Sequence, residues 1–334
     1  MSYRDSTATE TRITEETIES LSRMRKSGES GLNWNGIFAL PEWMAAWLRC
    51  CRGDDEVRIA AFQQKGRLLG IAPLLQKNHR AGLIGSADLC DYLDFPVAEE
   101  RAQAFFRALL PYLSQCGIRQ FEGGPLREDS PTLRELTGIA ERNGWQVAEE
   151  ADEVSYEMAL PGTWEAYLSG LKGKQRHEVR RKLRRLSEKA AFRLRSVETP
   201  QQLEQDLDTF LELFRQSRVD KNDFLTGRRL AFFQRLTANM AAAGMLRLYF
   251  LDIEGRPAAS ALCFEDADTL YLYNSGYDRQ FAALSVGQVC TILTIKEGIA
   301  GGLKCYNFLK GDEVYKKRLG GKPVGLVRLR LSKA

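Results

Sequence analysis

The sequence predicts an α/β protein built from two copies of one domain, and three observations support this fold class. The chain has 334 residues, about two domains' worth. Hydrophobic residues make up 44% of it and charged residues 28%, as in ordinary globular proteins. One order of elements, helix–hairpin–helix–strand, occurs in both halves. A period this long indicates a duplicated domain and not a solenoid of short repeats.

The first half begins its order with a helix at Pro41, because a proline in the first turn loses no hydrogen bond. Two apolar runs at 57–63 and 68–75 flank Gln64-Lys65-Gly66, which predicts a β-hairpin. The order continues with a helix at 99–116, a strand at 118–122, a helix at 132–143 and a strand at Trp145.

The second half repeats this order. Its hairpin is predicted at 246–253 and 257–264, around Glu254-Gly255-Arg256. An offset of 189 residues brings Gly66 onto Gly255. Two unrelated hairpins with glycine turns would align as well, so the order of the whole unit carries the inference. The other predicted elements are a helix at 228–243, a strand at 270–274, a helix at 286–300 and a strand at 305–308.

These patterns divide the chain into four segments. Residues 1–30 are predicted to be a polar tail with a short helix at 14–24, and residues 31–160 the N-terminal domain. Residues 161–195 form a basic helical connector, in which Thr163 caps a first short helix, and residues 196–334 form the C-terminal domain.

The connector carries the net charge of the protein. Residues 172–195 hold 11 Lys or Arg and two acids, so they carry +9 while the remainder carries −5. Two acids are too few to neutralise the predicted helix by pairing along its surface. A solvated helix face and a polyanionic partner both remain open. The candidate polyanion-binding residues are Arg176, Arg180, Arg181, Arg184 and Arg185.

A strand, a loop and a helix N-terminus follow one another between Tyr271 and Cys290. Ser285 is a natural N-cap, and Gly287 lets a ligand approach the first turn. The free N–H groups of that turn suit a pyrophosphate, although a plain helix cap gives the same pattern. The candidate cofactor-binding residues are Tyr273, Asn274, Ser275, Ser285, Val286, Gly287 and Gln288.

Two further clusters combine polar and aromatic side chains. One follows the predicted strand at 305–308, where open α/β sheets place ligands. A salt-bridged surface is the alternative interpretation of this first cluster. The second cluster lies in the first half of the chain. Their members are Asp312, Tyr315, Lys316 and Arg318 in the first cluster and Asp91, Tyr92 and Asp94 in the second.

Several classes of protein are excluded. Seven cysteines without a CxxC pair and only two histidines argue against a structural metal or a disulfide scaffold, so we expect no metal. No GxSxG motif accompanies the histidines. No apolar run is long enough to span a bilayer, and residues 1–30 do not resemble a secretory signal. We therefore expect a soluble cytoplasmic protein with reduced thiols.

The motifs resemble the FemAB-like branch of the GNAT acyltransferases, including the CelD-type proteins of bacterial cellulose and exopolysaccharide loci. Ser285-Val-Gly287 is similar to the Ser-Pro-Gly of the family's acyl-CoA pyrophosphate turn. Asn307-Phe-Leu-Lys-Gly-Asp-Glu-Val-Tyr-Lys316 resembles its Asp-Phe-x-x-Gly-Asp-x-x-Tyr-Lys ending. The likeness covers about 34–332, including Trp164 before the basic helix, Pro41-Glu-Trp43, Gly70-Ile-Ala-Pro73 and Asp91-Tyr-Leu-Asp-Phe95.

The resemblance implies two tandem GNAT domains, each a mixed sheet flanked by helices, with acetyl-CoA or another acyl-CoA bound in the second. Two residues depart from the pattern. Val286 replaces a proline, which changes the rigidity of the turn but leaves its N–H donors, and Asn307 replaces an aspartate, which puts an acid–base role there in doubt.

Acyl transfer assigns roles to the candidate residues. Backbone N–H groups near Tyr273 to Ser275 are expected to stabilise the oxyanion. Asp312 is the expected base, and Tyr277 or Tyr315 is expected to protonate the departing thiolate. The expected substrate-binding residues are Asp91, Tyr92, Asp94, Lys316 and Arg318.

Three functions remain open. The first is acyl transfer from acyl-CoA to an amine or hydroxyl of a saccharide or cell-envelope precursor. The second is a FemAB-type transfer from aminoacyl-tRNA, which the +9 segment permits because phosphate contacts dominate nucleic-acid binding. The third is a non-catalytic component of a polysaccharide assembly system. We expect a small-molecule or saccharide acceptor as partner, and tRNA only under the second function.

Overall fold

The computed structural model describes residues 11–28, 31–217, 225 and 227–333, and the chain divides into two structural units. The N-terminal unit consists of the residues up to Leu48, Arg52–Asp152 and those from Gly325 onward. The C-terminal unit consists of Arg49–Cys51 and Glu153–Val324.

The first part of the chain forms four helices and six strands within the described residues. A proline at the first position of α2 and amphipathic patterns in the other helices account for their formation. The elements are β1 (Thr11–Glu15), α1 (Ile18–Ser27), α2 (Pro41–Cys51), β2 (Glu56–Gln64), β3 (Arg67–Lys77), β4 (Arg80–Leu83), α3 (Ala102–Gln115), β5 (Gln120–Arg127), α4 (Thr137–Arg142) and β6 (Gln146–Ala159), with a π-helical turn at Thr132–Leu136 and 3-10 turns at Ile37–Ala39 and Glu99–Arg101.

The second part repeats this series after two connecting helices. Its elements are α5 (Trp164–Gly170), α6 (Gly173–Lys189), β7 (Phe192–Val197), α7 (Pro200–Ser217), α8 (Arg228–Ala242), β8 (Leu246–Ile253), β9 (Arg256–Asp266), β10 (Thr269–Tyr277), a 3-10 turn at Arg279–Leu284, α9 (Val286–Ala300), β11 (Cys305–Lys310), α10 (Val314–Arg318) and β12 (Lys322–Ser332).

Both predicted hairpins are confirmed. Lys65 and Gly66 connect β2 to β3 with φ angles of 51° and 75°, and Glu254 and Gly255 connect β8 to β9 with 50° and 79°. Two consecutive positive φ angles define the turn that best matches the twist of an antiparallel pair. The repeated Gly therefore has the same physical cause in both halves.

The two units have the same strand order. The N-terminal unit runs β1-β2-β3-β4-β5-β12, and the C-terminal unit runs β7-β8-β9-β10-β11-β6. The last strand of each repeat pairs in the other repeat's sheet, because β6 pairs with β11 and β12 pairs with β5. Each sheet mixes antiparallel hairpins with one parallel pair. The predicted fold class, two tandem mixed α/β domains, is confirmed.

One face of the C-terminal sheet packs against α5, α6 and α9. The core there combines strand residues such as Leu270 and Tyr306 with Val289 and Ile295 of α9. Tyr306 is fully buried, and its hydroxyl lies 2.8 Å from Thr294 Oγ1, so the polar end of the ring is satisfied inside the core. This packing fixes α9 against β10.

Four strands and one long helix lie outside the elements predicted above: β1, β4, β7, β12 and α7. Strand β4 has only four residues, too few to show an alternating pattern. Strand β1 and helix α1 lie in the segment expected to be a polar tail, of which residues 1–10 and 29–30 are outside the described residues. No helix in the described part of the chain is long and apolar enough to cross a membrane.

Candidate functional site

A wedge opens between β10 and β11 in the C-terminal unit. The two strands pair in parallel at three positions only, and the last of these joins Tyr271 to Asn307. Beyond it, each strand bulges and pairs with its other neighbour, β10 with β9 and β11 with β6. The bulges leave Tyr273 and Phe308 outside the regular ladders. Bulges of this kind interrupt the pairing of neighbouring strands and are frequent next to active sites.

Side chains hold the β11 side of the wedge in shape. Leu309 has a φ of 59°, and its N–H donates to Asn307 Oδ1 at 2.8 Å. Lys316 Nζ donates to the carbonyl oxygens of Leu309 at 3.1 Å and Lys310 at 2.5 Å, and it pairs with Glu313 at 3.0 Å. Lys316 is buried, so its predicted role in binding substrate is replaced by a structural one: the ammonium satisfies carbonyls that the bulge frees.

Helix α9 begins beside the wedge, directly after Ser285. The prediction that the Ser285 side chain caps this helix is wrong. Ser285 adopts the left-handed conformation with φ 57° and makes no side-chain cap, and its hydroxyl instead accepts a hydrogen bond from Lys182 Nζ at 3.3 Å. The N–H groups of the first turn, at Val286, Gly287 and Gln288, have no acceptor within the helix. The positive end of the α9 dipole and a lysine therefore meet at one place.

Tyr277 closes the space over the same turn. A Cβ at Gly287 would come within 3.2 Å of Tyr277 Cδ1, so the ring lies directly on the glycine. Glycine is the residue that permits this contact. The predicted cofactor-binding residues Tyr273, Asn274 and Ser275 lie on β10 beside the wedge, and Ser285, Val286, Gly287 and Gln288 form the start of α9.

The basic helix α6 lies next to this turn. Val179 and Leu186 form an apolar stripe along α6 and are buried in the core that also contains the α9 side chains. Lys182 lies three residues after Val179, at the edge of that stripe, and its side chain reaches Ser285. It also pairs with Glu178 at 3.0 Å, so its ammonium is held between an acid and the α9 N-terminus.

The arginines of α6 are partly neutralised. Arg181 donates to Glu178 in a two-point ion pair at 2.8 Å, and with Lys182 it lowers the pKa of Glu178 to about 2. Arg184 pairs with Glu188 at 3.6 Å, and Arg176 donates to the Ser169 carbonyl at 3.3 Å.

Each of the two acids lies three or four residues from the cation it pairs with, but two acids do not neutralise the cations of this helix. Arg180 and Arg185 are exposed on the same helix, where they add positive charge to its solvent face.

Asp312, the predicted base, is an exposed carboxylate with two donors. Lys317 Nζ lies 2.7 Å from Asp312 Oδ1, and Tyr156 Oη donates to the same oxygen at 2.5 Å. The lysine, and then the phenol, lower the pKa of Asp312, and the same contacts raise the pKa of Lys317 to about 12. A carboxylate held in its charged form accepts a proton less readily. Its role as the base stays a prediction.

The two predicted acids differ in environment. Burial raises the pKa of Tyr315, whose ring packs edge-on against Phe308 at 6.4 Å between centroids. Tyr315 therefore keeps its proton at neutral pH, as a donor to a thiolate must. Tyr277 is half-buried at the α9 turn. Arg318, predicted to bind substrate, is exposed at the end of α10.

The remaining predicted substrate-binding residues belong to the N-terminal unit. Asp94 is buried and accepts hydrogen bonds from Ser130 Oγ at 2.5 Å, from Thr132 Oγ1 and from the Phe95 N–H at 2.8 Å. These bonds anchor the π-helical turn. Because the carboxylate is enclosed and its oxygens are engaged, it is a structural group and not a substrate ligand.

Tyr92 is buried as well, with its ring edge-on to Phe38 at 5.1 Å and the Arg127 guanidinium 5.7 Å from its centroid. Its predicted contact with a substrate is replaced by packing in the core. Asp91, its neighbour, is half-buried in the same segment.

The N-terminal unit has an equivalent of the wedge, but the chain itself occupies it. Strands β4 and β5 also pair in parallel at three positions before β5 turns to β12. The Leu93 N–H donates to the carbonyl of Pro125 at 2.7 Å, a carbonyl that lies beyond the parallel pairs. The 3-10 turn before α3 carries Glu99 and Glu100 in its first turn, which disfavours an anion.

Comparisons with known proteins give one family model and several solved structures that are similar to this chain. Residues 173–317 match the family model described as "Acetyltransferase (GNAT) domain". The fold resembles that of FemX, with a TM-score of 0.65 and 11% identity over 95% of this chain and 96% of that one. No curated protein matches the sequence.

Two other solved structures are also similar. A conserved protein of unknown function from Bacteroides thetaiotaomicron has a TM-score of 0.59 and 13% identity over 97% of this chain and all (100%) of its own. The C-terminal domain of a putative lysylphosphatidylglycerol synthetase from Agrobacterium fabrum has a TM-score of 0.56 and 11% identity over 94% and 90%. Identities this low establish the fold alone.

Proposed function

We propose that this protein is a GNAT-type acyltransferase that takes an acyl group from acyl-CoA in its C-terminal unit. The observation that carries the proposal is the wedge between β10 and β11 beside the N-terminus of α9. This arrangement falls inside residues 173–317, the segment that matches the GNAT domain. The N-terminal unit has the same strand order without an open wedge.

The donor is held at two places. The N–H groups of Val286, Gly287 and Gln288 and the ammonium of Lys182 receive the pyrophosphate, since they combine backbone donors, a helix dipole and a full charge. The thioester arm then extends between β10 and β11. Backbone N–H groups of β10 at Tyr273 to Ser275 receive the carbonyl oxygen, whose negative charge grows in the transition state.

Positioning accounts for much of the acceleration in such a reaction. An amine or hydroxyl attacks the thioester carbonyl carbon, the C–S bond breaks, and the CoA thiolate leaves. When the enzyme holds both reactants in line, a bimolecular reaction becomes effectively intramolecular. Tyr277 at the α9 turn and Tyr315 beside Phe308 are the two phenols proposed to return a proton to the thiolate.

The proposed acceptor is an amine or hydroxyl of a saccharide or cell-envelope precursor. The resemblance to CelD-type proteins favours a saccharide. The similar fold of a protein named as a putative lysylphosphatidylglycerol synthetase favours an envelope component more generally. A protonated amine must lose a proton before it can attack, and a hydroxyl loses its proton as it attacks, so a base assists in either case.

A second candidate function is transfer from an aminoacyl-tRNA. The observation in its favour is α6, whose exposed Arg180 and Arg185 lie on the helix that also places Lys182 at the α9 turn. A polyanion such as tRNA, bound along α6, would reach the donor site at the α9 turn. Acyl-CoA remains the preferred donor, because Arg181 and Arg184 are paired with Glu178 and Glu188 and are therefore less available for phosphate contacts.

The substitution Gly287→Asp tests the donor site. The new side chain meets the Tyr277 ring and places a negative charge beside the pyrophosphate, so we expect calorimetry to detect no binding of acetyl-CoA. Gly162→Asp is the matched control, because a Cβ at Gly162 meets nothing within 4 Å. The control should bind acetyl-CoA as the wild type does. Unchanged affinity in a folded Gly287→Asp variant would place the donor elsewhere.

A further inference from the structure

A row of three side chains crosses the sheet at the floor of the wedge. Tyr271 on β10 lies opposite Asn307 on β11, and Asn307 lies opposite Glu157 on β6. Directly opposed residues of neighbouring strands point to the same face of a sheet. The last regular position before the strands separate therefore carries a phenol, an amide and a carboxylate side by side.

This row faces away from α9. The neighbours of the row along their strands, Leu270, Leu272, Tyr306 and Phe308, all belong to the core that contains the α9 side chains. Side chains alternate between the faces of a strand, so the row lies on the opposite face. A donor anchored at the α9 turn reaches the wedge from one face, and the row lines its floor on the other.

Asn307 fixes the carboxylate of Glu157. The amide oxygen of Asn307 accepts from the Leu309 N–H at 2.8 Å, which orients the amide nitrogen toward Glu157, whose Oε2 lies 3.4 Å away. Asn307 is buried, whereas Glu157 is half-buried and reaches solvent. An aspartate at position 307 would accept the same Leu309 bond but would repel Glu157. Asn307 therefore has two roles: its oxygen stabilises the bulge, and its nitrogen orients the neighbouring carboxylate.

We propose that Glu157 is the general base of the acyl transfer, an inference that rests on the proposed function. A carboxylate oxygen of Glu157 takes the proton from the acceptor's N–H or O–H while that nitrogen or oxygen bonds to the thioester carbonyl carbon. The C–S bond then breaks, and the thiolate leaves with the electron pair. Asp312 is less suited to this task, because Lys317 and Tyr156 hold it in its charged form.

The test compares Glu157→Gln with Glu153→Gln and Asp312→Asn in the full chain. Glu153 lies on the same strand and pairs with Lys310 at 3.4 Å, so its variant is the matched control. Acetyl-CoA is the donor, and release of CoA is followed with glucosamine and with hydroxylamine as acceptors. Calorimetry with acetyl-CoA checks that each variant retains the donor site.

We expect Glu157→Gln to lower turnover with glucosamine by about 10²–10⁴-fold while acetyl-CoA affinity stays at the wild-type value. The loss should be much smaller with hydroxylamine, which is neutral at pH 7 and needs less help from a base. The acid limb of the pH–rate profile should disappear in the same variant. A purely structural role of Glu157 would lower both rates equally and leave the pH profile unchanged.

Two outcomes would overturn the inference and are distinguishable. If the wild type binds acetyl-CoA and releases CoA, but Glu157→Gln keeps its turnover with glucosamine or Asp312→Asn alone loses it, Glu157 is not the base and the proposed function stands. If the wild type neither binds acetyl-CoA nor releases CoA with either acceptor, the proposed function and the role of Glu157 both fail.

Discussion

Asp94 shows what burial does to a single carboxylate. Desolvation raises its pKa to about 6, although the hydroxyls of Ser130 and Thr132 and the Phe95 N–H act in the opposite direction. The burial cost is therefore larger than the gain from three hydrogen bonds. These bonds prevent a larger rise, and they tie the segment around Tyr92 to the π-helical turn.

This pKa predicts a pH-dependent stability. The native state binds a proton more tightly than the unfolded chain, whose carboxyl has a pKa near 3.8. The contribution of Asp94 is thus fully present below pH 3.8 and is lost as the pH rises through about 6. Relative to Asp94→Asn, the wild type should lose about 1 kcal/mol of unfolding free energy between pH 5 and pH 7.

Urea denaturation of both proteins at these two pH values measures the difference. Asn keeps an acceptor oxygen for the hydroxyls but has no proton to lose, so its own contribution should not change with pH. A wild type that gained stability relative to Asp94→Asn over the same interval would show that the buried carboxyl has a lowered pKa instead.

At the scale of an element, helix α6 combines two properties along one segment. Val179 and Leu186 pack into the core, and Lys182 projects from the edge of that stripe to the α9 turn. The acids Glu178 and Glu188 divide the remaining cations into ion-paired ones and solvent-facing ones. Fewer of its cations are therefore available for phosphate contacts than a count of Lys and Arg suggests.

We expect this helix to bind tRNA only weakly. Each phosphate contact contributes a slope of about −0.7 to −0.9 in log K against log salt, and binding at physiological salt should be micromolar or weaker. Replacing Arg180 and Arg185 with Gln should flatten the slope more than replacing Arg181 and Arg184, which are already paired with acids.

A filter-binding titration across about 50 to 300 mM salt measures these slopes. Replacement of all five arginines, Arg176 included, should remove most of the slope. Submicromolar binding that depends on aminoacylation at the highest salt would favour the aminoacyl-tRNA function over acyl-CoA transfer.

At the scale of the whole molecule, the two units share one topology, and within the described residues they differ at the point where the parallel strands separate. In the C-terminal unit, the Lys316 side chain satisfies the carbonyls of the β11 bulge. In the N-terminal unit, the Leu93 N–H donates a hydrogen bond to the Pro125 carbonyl at the corresponding position, so the chain itself occupies the space. Glu99 and Glu100 also disfavour an anion there.

One acyl-CoA should therefore bind per chain. Calorimetry with acetyl-CoA on the wild type should give a stoichiometry of one, and Gly287→Asp should reduce it to zero. A stoichiometry of two, or binding that persists at half the wild-type amplitude in Gly287→Asp, would show that the N-terminal unit also holds a donor.

The sequence by itself determines the local structure: the turns, the bounds of helices and the order of elements. The two hairpins follow from turns that require positive φ at Lys65-Gly66 and Glu254-Gly255, flanked by apolar runs. Helix α9 was predicted with its observed bounds, 286–300, because the apolar stretch and its preceding polar loop lie next to each other in the chain. The sequence also predicts the duplication, because the order of helices and strands follows from local patterns along the chain.

Only the tertiary structure decided which distant residues meet. The exchange of β6 and β12 between the repeats depends on strand pairing across more than a hundred residues, which no local pattern records. It is this pairing that places Glu157 opposite Asn307. Likewise, the sequence predicts that Lys316 and Asp94 bind substrate, but both are buried, and hydrogen bonds within the fold make their burial possible. Long-range register, and not local propensity, determines the site.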